Sequence, residues 1–501
     1  MKILVTGGTG VVGAGTVTEL LRRQHTVVLV SRHAHDDVAQ WPTGVIARVG
    51  DVGDAASLSG SATGCDAVLH ITGIVEEDPP EVTFERVNVQ GTGNVIAEAE
   101  RAGVKRFVFI SSLGAPVGTS DYHVSKQKAE AATRRFNGAW TIARPGNVYG
   151  PGDEQISVLL RLVRGPTSVV PKIGAGDQSF QPIWWEDAAR ALADIVERDD
   201  LAGSELDLAG AEQTSQNDLL RRLGEITGRE IHGIALPEFV ATLGAKAISL
   251  VGWDLHFTDD QLQMLREGNV IAPGATNGLT DVLGITPTPL DTGLRALADL
   301  QPEQLPTEGI GSLKRKRFSA DIAGCTFTPE ALFALFCSKF NEATPVFVEA
   351  RPEPTSSDAI REGETITLAL PMRGHVQVRV TGLEARRVTL ITLAGHPLAG
   401  AVRFLCEQRA DDVRFQVEVY ERAANVIDLI AMRTVGDRLQ DHTWTRVVEN
   451  VVEMSGGRAP AGVEHEVASL GEDEAAAVSK WLEDITTERK RAENAETISA
   501  G

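Results

Sequence analysis

The chain has 501 residues, of which 42% are hydrophobic, and a formal net charge of −21 at pH 7. A chain of this length holds about two to four domains with sizeable cores, which excludes a fibrous or wholly disordered protein. The acidic balance leaves no excess of positive charge to neutralise phosphates, so it argues against nucleic acids and anionic membrane surfaces as partners of the whole chain.

The first 150 residues alternate short apolar runs with helical patterns, which predicts a parallel sheet with crossover helices. Each run is almost continuously apolar, as is typical of strands that are covered on both faces. The predicted strands are Lys2 to Thr6, Thr26 to Ser31, Val45 to Val49, Ala67 to Ile71, Arg106 to Ser111 and Trp140 to Ala143.

Residues 151–300 have a looser and more helical pattern, which predicts a small lobe at the end of this sheet. One predicted helix, Pro237 to Val251, lies in the apolar stretch Leu236 to Trp253. This stretch fits a buried helix better than a membrane-surface helix or a lid. Residues 301–311 contain two Pro and two Gly without periodicity, and we expect them to form an exposed linker.

Residues 312–457 are predicted to form a second domain. A helix capped by Thr328 is followed by strands with one apolar and one polar face, which indicates an α+β antiparallel sheet with flanking helices. The one basic run, Lys314 to Arg317, is interpreted as a solvated strand edge or linker. Residues 458–501 are expected to be a C-terminal helix that becomes a disordered, charged tail after about Thr486.

The four cysteines show no C-x-x-C spacing, so we expect neither a metal site nor a disulfide framework. No apolar stretch approaches the length of a membrane span, and the chain opens directly on an apolar strand. These features predict a soluble cytoplasmic protein without a transmembrane segment. The sequence carries no readable signal of oligomeric state.

A glycine-rich turn separates the first predicted strand from the first helix. Only glycine allows so tight a turn and lets a diphosphate approach the backbone amides at the start of a helix. With a strand before it and a helix after it, the Gly-x-x-Gly-x-x-Gly spacing predicts dinucleotide binding. The turn reads Thr6-Gly7-Gly8-Thr9-Gly10-Val11-Val12-Gly13.

The second strand ends at Ser31 and Arg32, about where an NAD site presents an acid to the ribose hydroxyls. A guanidinium pairs well with a 2′-phosphate, so these residues favour NADP(H). Asp51 and Val52, after the third strand, are candidates for the adenine edge, although a helix cap explains Asp51 nearly as well.

Tyr122 and Lys126 are four residues apart and therefore share one helix face. An ammonium there is expected to lower the pKa of the phenol while it also reaches a bound ribose. The chain has only three tyrosines, which makes the pair informative. Ser111 and Ser112 close the preceding strand, where a hydroxyl is able to hold the substrate oxygen while Tyr122 donates or removes its proton.

These residues resemble the short-chain dehydrogenase/reductase superfamily, and in particular its extended and atypical members, over about residues 1–300. Ser112 to Ala115 and the cofactor turn are most similar to the branch of the accessory NADPH-binding subunit of respiratory complex I. The resemblance implies a Rossmann-type, doubly wound parallel sheet with a small substrate lobe. It is also carried by Cys65 to Gly73, Asn88 to Thr92, Arg144 to Gly152 and Gln181 to Ala188.

The resemblance implies that Ser112 polarises the substrate carbonyl, that Tyr122 is the general acid or base, and that Lys126 binds the nicotinamide ribose and tunes Tyr122. Tyr122 follows Ser112 by only ten positions, which either misplaces the hydroxyl or reflects a shorter loop. A helix cap explains Asn88 equally well. The other cofactor contacts that the resemblance implies are Ile71, Thr72, Gly73, Asn88, Ser111, Pro145, Gly146 and Val148.

Trp184 and Trp185 depart from the His-Val pair of many extended members, and we expect them to pack between the lobes rather than line an apolar cleft. The second domain contains a G-H-P-x-x-G turn within Leu393 to Gly400. It resembles a small uncharacterised bacterial and plant family of helix-grip type, which implies an apolar ligand. His396 in this turn is expected to be structural.

Two functions follow from these predictions. The first is an NADP(H)-dependent oxidoreductase acting on an alcohol or carbonyl of a small-molecule, apolar substrate. The second is a non-catalytic NADP(H)-binding sensor or assembly protein, whose C-terminal domain binds a lipid-like ligand or a partner. The second stays open because the atypical branch includes members without known turnover.

Overall fold

The computed structural model describes residues 1–236, 263, 267–345, 348–354, 360–371, 373–431 and 437–500. Seven parallel strands form the first sheet, which confirms the six predicted strands and adds a seventh. Numbered along the chain, they are β1 (Lys2–Thr6), β2 (Thr26–Ser31), β3 (Val45–Val49), β4 (Ala67–His70), β5 (Arg106–Ile110), β6 (Ala139–Pro145) and β10 (Ser204–Leu208).

The strands of this sheet lie in the order β10-β6-β5-β4-β1-β2-β3. The chain therefore reverses its direction across the sheet between β1 and β4. At such a switch point the loops after the two neighbouring strands diverge and leave a crevice at the carboxyl edge. The fold thus positions a binding crevice directly above the glycine turn.

Helices cover both faces of the first sheet. Ile3 and Val5 of β1 pack into the core that contains Leu192, whereas Leu4 packs into the core that contains Val95 on the other face. The continuously apolar strands follow from this double coverage. The helices of this part are α1 (Val11–Arg22), α2 (Ala34–Asp37), α3 (Gly91–Arg101), α4 (Asp121–Thr133), α5 (Ile156–Arg164), α6 (Trp185–Glu197), α7 (Gln216–Thr227) and α8 (Leu290–Asp299).

The small lobe contains two short parallel strand pairs. They join β7 (Val148–Tyr149) to β9 (Ile183–Trp184) and β8 (Val169–Ile173) to β11 (His232–Leu236). Trp184 packs on Tyr149, with 5.1 Å between ring centroids, and Trp185 lies against Gly15 of α1. The two tryptophans therefore pack at the junction of sheet and lobe. The predicted helix Pro237 to Val251, with the apolar stretch to Trp253, lies outside the described residues.

Eight antiparallel strands form the second sheet, as predicted for the C-terminal part. Their spatial order is β13-β14-β15-β16-β17-β18-β12-β19. The strands are β12 (Ile310–Ile322), β13 (Glu349–Ala350), β14 (Thr365–Leu370), β15 (Gly374–Glu384), β16 (Arg387–Thr392), β17 (Leu398–Arg409), β18 (Asp412–Ala423) and β19 (Glu464–Ser469).

Helices pack on both faces of the second sheet. Phe336 lies in a common core with Phe404 of β17 and Val448, so the interior between helices and sheet is filled by side chains. Thr328 Oγ1 accepts a hydrogen bond from Ala331 N, which confirms the predicted helix cap. The helices are α9 (Pro329–Ser338), α10 (Phe340–Ala343), α11 (Val426–Ala431), α12 (Asp437–Met454) and α13 (Glu472–Ser499), of which α9, α10 and α12 pack on one face of the sheet and α13 packs on the other face. In the part of the chain that the structure describes, no helix combines the length and apolar composition needed to cross a bilayer.

Three predictions about the C-terminal part were wrong. Lys314 to Arg317 is no solvated edge, because it lies within β12 between two strands and Lys316 is only 1% exposed. The expected exposed linker is partly buried, with Gln301 and Glu303 both buried. The expected disordered tail is the 28-residue helix α13. In each case the partners lie far away in the sequence.

Candidate functional site

Glycines shape the turn between β1 and α1. Gly7 has a φ of +70°, and a Cβ there would lie 2.7 Å from the backbone nitrogen of Thr72. A Cβ on Gly13 would collide with the carbonyl oxygen of Gly7. Both positions therefore require glycine, one for the turn and one for the close packing of α1 on it.

Gly10 lies in open space instead. The nearest heavy atom to a Cβ at this position would be Gly7 O, at 3.7 Å. No side chain caps the N–H groups where α1 begins at Val11. Free N–H groups at the positive end of a helix, next to exposed backbone, match the requirements of a diphosphate. The turn Thr6–Gly13 therefore fits the diphosphate of a dinucleotide.

The end of β2 carries charges of both signs. Arg32 is exposed and forms no ion pair with any described residue. The Ser31 hydroxyl donates to the carboxylate of Asp37, in α2. The sequence did not predict a role for Asp37. Six residues separate it from Ser31, and only the fold of α2 brings its carboxylate close to the Ser31 hydroxyl.

Asp51 and Val52 follow β3. Asp51 Oδ1 accepts a hydrogen bond from Gly53 N at 2.9 Å, and its other oxygen lies 3.3 Å from the Arg86 guanidinium. Val52 is buried. The carboxylate thus stabilises the turn that follows β3, and it is not a helix cap, because no helix begins at this point of the described chain.

Ser112 and Tyr122 meet beyond the end of β5. The Ser112 hydroxyl lies close enough to the phenol of Tyr122 to lower the pKa of that phenol. Burial has the larger effect and raises the pKa of the phenol to about 12. The ten-residue spacing therefore does not separate the two hydroxyls. The predicted lowering of this pKa by Lys126 was wrong, because burial dominates.

Lys126 lies one turn further along α4 and is buried. Its Nζ donates to Ile110 O at 3.0 Å and lies 6.0 Å from the centre of the Tyr122 ring. Burial lowers the pKa of its ammonium to about 8, against the opposing effect of Glu130. A Cβ on Gly73 would lie 2.7 Å from Nζ, so the backbone after β4 passes directly beside the ammonium.

Asn88 connects the loop that follows β4 to α4. Its Oδ1 accepts from Ile74 N at 2.9 Å, while its Nδ2 donates to Ile74 O and to Ser125 Oγ. Ser125 in turn donates to Tyr122 O at 2.6 Å. Asn88 thus holds the loop after β4 against the helix that carries Tyr122 and Lys126. It is not a helix cap.

A buried ion pair between Glu130 and Arg144 lies next to Ser111, at the end of β5. The Ser111 hydroxyl donates to Glu130 Oε1 at 2.6 Å, and Arg144 donates to both Glu130 oxygens at 2.7 Å. The Ser111 hydroxyl is therefore engaged by Glu130, which differs from its expected contact with the cofactor. Glu130 was missed from the sequence because its partners lie on other elements.

Glu267 of the small lobe anchors the loop between Ser112 and Tyr122. Its Oε1 accepts from the backbone nitrogens of Thr119 and Ser120, at 2.6 and 2.8 Å, and its Oε2 binds His123 Nδ1. Burial opposes ionisation of Glu267, but hydrogen bonds from Thr119 and His123 outweigh it and lower the pKa of this carboxyl to about 2. The short loop is thus held in place by a residue that no spacing could have revealed.

The remaining predicted residues also lie at the carboxyl edge of the sheet. Pro145 O accepts a hydrogen bond from Leu113 N at 2.9 Å, so the end of β6 lies beside the Ser112 loop. Gly146 N donates to Leu208 O at 2.8 Å. The structure therefore brings the predicted set together around one crevice, in the loops that hold Ile71, Thr72 and Gly73 after β4, Ser112 after β5, and Gly146 and Val148 after β6.

His70, at the end of β4, is fully buried beneath this crevice. Its Nδ1 lies 2.7 Å from Thr6 Oγ1, and its Nε2 lies 3.0 Å from Thr92 Oγ1. Burial lowers the pKa of the imidazole from 6.5 to about 3, assisted by the charge of Lys126. The ring is therefore neutral in the folded protein at physiological pH.

This shift predicts acid sensitivity between pH 6.5 and about 3. In this range the unfolded chain binds a proton at His70 that the folded chain does not bind, so stability falls as the pH falls. We expect His70→Gln to flatten the dependence of the unfolding free energy on pH, measured by urea denaturation at several pH values. His35→Gln, at an exposed position, should keep the wild-type slope. An unchanged slope for His70→Gln would contradict the assignment.

Comparison with known proteins agrees with this geometry. Residues 3–207 match the NAD dependent epimerase/dehydratase family. The chain is 31% identical over 249 residues to "Ceramide reductase" of Caulobacter vibrioides, which covers 48% of this chain and 76% of that protein. It is 32% identical over 190 residues to "3-beta-hydroxysteroid dehydrogenase" of Mycolicibacterium neoaurum, covering 36% of this chain and 50% of that protein.

Solved structures are similar over about 60% of the chain. The UDP-glucose 4-epimerase of Thermotoga maritima with UDP-glucose is 20% identical, covers 60% of this chain and 97% of its own, and has a TM-score of 0.47. MoeE5 in complex with UDP-glucose and NAD is 23% identical, with 60% and 97% coverage and a TM-score of 0.45. From the family match and the similarity to the ceramide reductase, the chain belongs to the NAD-dependent epimerase/dehydratase family.

Proposed function

We propose that this chain is an NADP(H)-dependent oxidoreductase that interconverts an alcohol and a carbonyl group. The observation that carries the proposal is the placement of Tyr122 beside the buried Lys126, whose Nζ lies 6.0 Å from the centre of the Tyr122 ring, with the buried Ser112 close to the phenol. Cofactor binding is assigned to residues 1–300. When bound, the nicotinamide supplies or accepts the hydride. The proposed cofactor contacts are the turn Thr6–Gly13, Ser31, Arg32, Ile71, Thr72, Gly73, Tyr122, Lys126, Pro145, Gly146 and Val148.

Tyr122 serves as the proton donor in this proposal. Because the pKa of its phenol is about 12, it keeps its proton at neutral pH and is suited to protonating a carbonyl oxygen. Ser112 donates a hydrogen bond to the same oxygen and polarises the carbonyl. The protonated phenol favours reduction of a carbonyl as the working direction.

Lys126 holds the ribose of the cofactor. With a pKa of about 8 its ammonium is mostly charged at pH 7, and it carries three donors. The hydrogen bond to Ile110 O uses one of them, which leaves donors for ribose hydroxyls. Its position beside Gly73 places it at the edge of the crevice.

Arg32 supports NADP(H) rather than NAD(H). Its guanidinium is exposed and unpaired among the described residues, whereas the nearby acid Asp37 is engaged by Ser31. A free guanidinium stabilises a 2′-phosphate by charge-assisted hydrogen bonds.

The substrate is proposed to be apolar. Two apolar side chains are exposed in the loops at this edge of the sheet, Val75 after β4 (40%) and Val117 before α4 (81%). Relatives with printed activities toward ceramide and a steroid point to the same class. A lipid or steroid ketone therefore fits better than a sugar nucleotide.

The test is a cofactor titration followed by a substrate screen. The full chain is titrated with NADPH and NADH while nicotinamide fluorescence is recorded. NADPH oxidation is then followed with a long-chain ketone, a steroid ketone and a keto-sugar nucleotide. We expect tighter binding of NADPH and turnover of an apolar ketone. Turnover of the sugar nucleotide alone would overturn the substrate class, and NADPH binding without any turnover would favour a non-catalytic protein.

Arg32→Ala tests the cofactor preference. Loss of a charge-assisted pair is expected to raise the Kd of NADPH about 10- to 100-fold and leave that of NADH within about twofold. The matched control is Arg135→Ala, an exposed arginine after the end of α4 at the opposite edge of the sheet. An equal rise in the Kd of NADPH and of NADH would show that Arg32 does not bind the 2′-phosphate.

A further inference from the structure

The C-terminal helix α13 lies across both sheets. Near its start, the fully buried Leu482 packs against Ile391 and Ala401 of the second sheet. Near its end, Ile498 packs against the core of the first sheet. The helix therefore contacts the second sheet around Leu482 and the first part of the chain near its end.

The middle of α13 is held by a buried carboxylate. Arg489 forms an ion pair with Glu303, and Lys490 Nζ lies 3.3 Å from the other oxygen of the same carboxylate. Both Arg489 and Glu303 are almost fully buried in this pair. Because breaking a buried ion pair is costly, this pair fixes the position of α13 along its own axis.

Two residues of α13 reach the chain that follows β2, Arg491 at Pro42 O and Asn494 at Gln40 O. Asn494 Oδ1 accepts a hydrogen bond from Thr18 Oγ1 at 3.0 Å, and its Nδ2 donates to Gln40 O at 2.9 Å. Trp41 Nε1 donates to the same Thr18 hydroxyl at 3.0 Å. Asn494 thus joins α1 to the chain at Gln40 and Trp41.

These bonds continue to the end of β2. Gln40 Nε2 donates to Asp37 O at 3.1 Å, and the Asp37 carboxylate accepts from the Ser31 hydroxyl. Arg32 follows directly in the chain. The residues that set the position of Arg32 are therefore connected, bond by bond, to Asn494 on the last helix.

We propose that Asn494 is a positioning residue for the 2′-phosphate of the cofactor. It holds the segment from Ser31 to Trp41 against α1, so that Arg32 is oriented before the cofactor binds. This inference rests on the proposed function, since it assumes that NADPH binds beside Arg32. It gives the C-terminal helix a role in cofactor selection.

The test measures cofactor affinity in the full-length chain with Asn494→Ala. Removing the hydrogen bonds that join Asn494 to Thr18 of α1 and to Gln40 of the segment is expected to raise the Kd of NADPH about tenfold, while that of NADH changes by less than about twofold. The matched control is Thr497→Ala, one turn further on, whose hydroxyl bonds only within the helix to Glu493 O. Thermal unfolding of all variants is recorded alongside.

The outcomes separate the inference from the proposed function. If the wild-type chain binds no NADPH, the proposed function fails. If the wild type binds NADPH and Asn494→Ala binds it equally well, the inference fails. Equal weakening of both cofactors would also overturn it, since that result indicates a general loosening of the fold.

A double-mutant cycle with Arg32 tests whether Asn494 affects NADPH binding through Arg32. If Asn494 acts through Arg32, then Asn494→Ala is expected to weaken NADPH binding by less than about twofold when Arg32 is already alanine. Additive losses would show that Asn494 acts by another route and would overturn the assignment.

Discussion

Tyr122→Phe is expected to lower carbonyl reduction by about 10²- to 10⁴-fold, because it removes only the proton that the phenol donates. The ring of Tyr122 also packs on Phe84 at 6.1 Å between centroids, and phenylalanine keeps that contact. The phenol is only one of the proposed cofactor contacts, so the Kd of NADPH should rise by no more than about tenfold. The measurement is kcat from NADPH oxidation on the substrate found in the screen, with Kd from fluorescence.

The control for this variant is Tyr420→Phe. Tyr420 lies on β18 and donates to Glu418 in the second sheet, away from the crevice. It should leave kcat unchanged. Full activity of Tyr122→Phe would refute the assignment of the proton donor. A loss of NADPH affinity well beyond tenfold would show that the phenol serves mainly to bind the cofactor.

Arg164→Met is expected to destabilise the protein by about 3–5 kcal/mol, because it leaves a buried carboxylate without its main partner. Arg164 on α5 donates to both oxygens of Glu353, at 2.8 and 2.7 Å, and to Gln377 at 2.7 Å. Both partners of the ion pair are almost fully buried. This cluster joins the small lobe to the second sheet, and urea denaturation measures the loss.

Two further variants make this prediction specific. Arg221→Met removes exposed ion pairs on α7 and is expected to cost about 1 kcal/mol or less. The double variant Arg164→Met with Glu353→Met should recover part of the loss, since no buried charge is then left alone. A loss below about 1 kcal/mol for Arg164→Met would show that the cluster does not stabilise the junction.

The sequence predicted the first sheet well because its signals are local. Continuous apolar runs indicate strands that are covered on both faces, and a turn as tight as that at Gly7 admits only glycine. Tyr122 and Lys126 share a helix face by their spacing alone. These features depend only on residues that are near one another in the sequence. They can therefore be predicted without knowing which distant residues they contact.

The sequence failed where charged residues are buried with distant partners. Lys316 was expected in solvent, yet its Nζ lies 3.2 Å from Glu421 and 3.2 Å from Asp441, more than a hundred residues away. The charged tail was expected to be disordered, yet α13 is buried at Leu482 and paired at Arg489. The composition of a segment depends only on its own residues. Whether that segment is buried depends on which distant residues pack against it and pair with its charges.

By itself, the sequence determined the parallel sheet, the glycine turn and the Ser112, Tyr122 and Lys126 set, since turn sterics and helical or strand periodicity act over a few residues. Only the tertiary structure decided that burial raises the pKa of the Tyr122 phenol, that Glu267 anchors the loop before it, and that Asn494 reaches the segment beside Arg32. Desolvation and hydrogen bonding between distant residues exist only once the chain has folded, so no local pattern contains them.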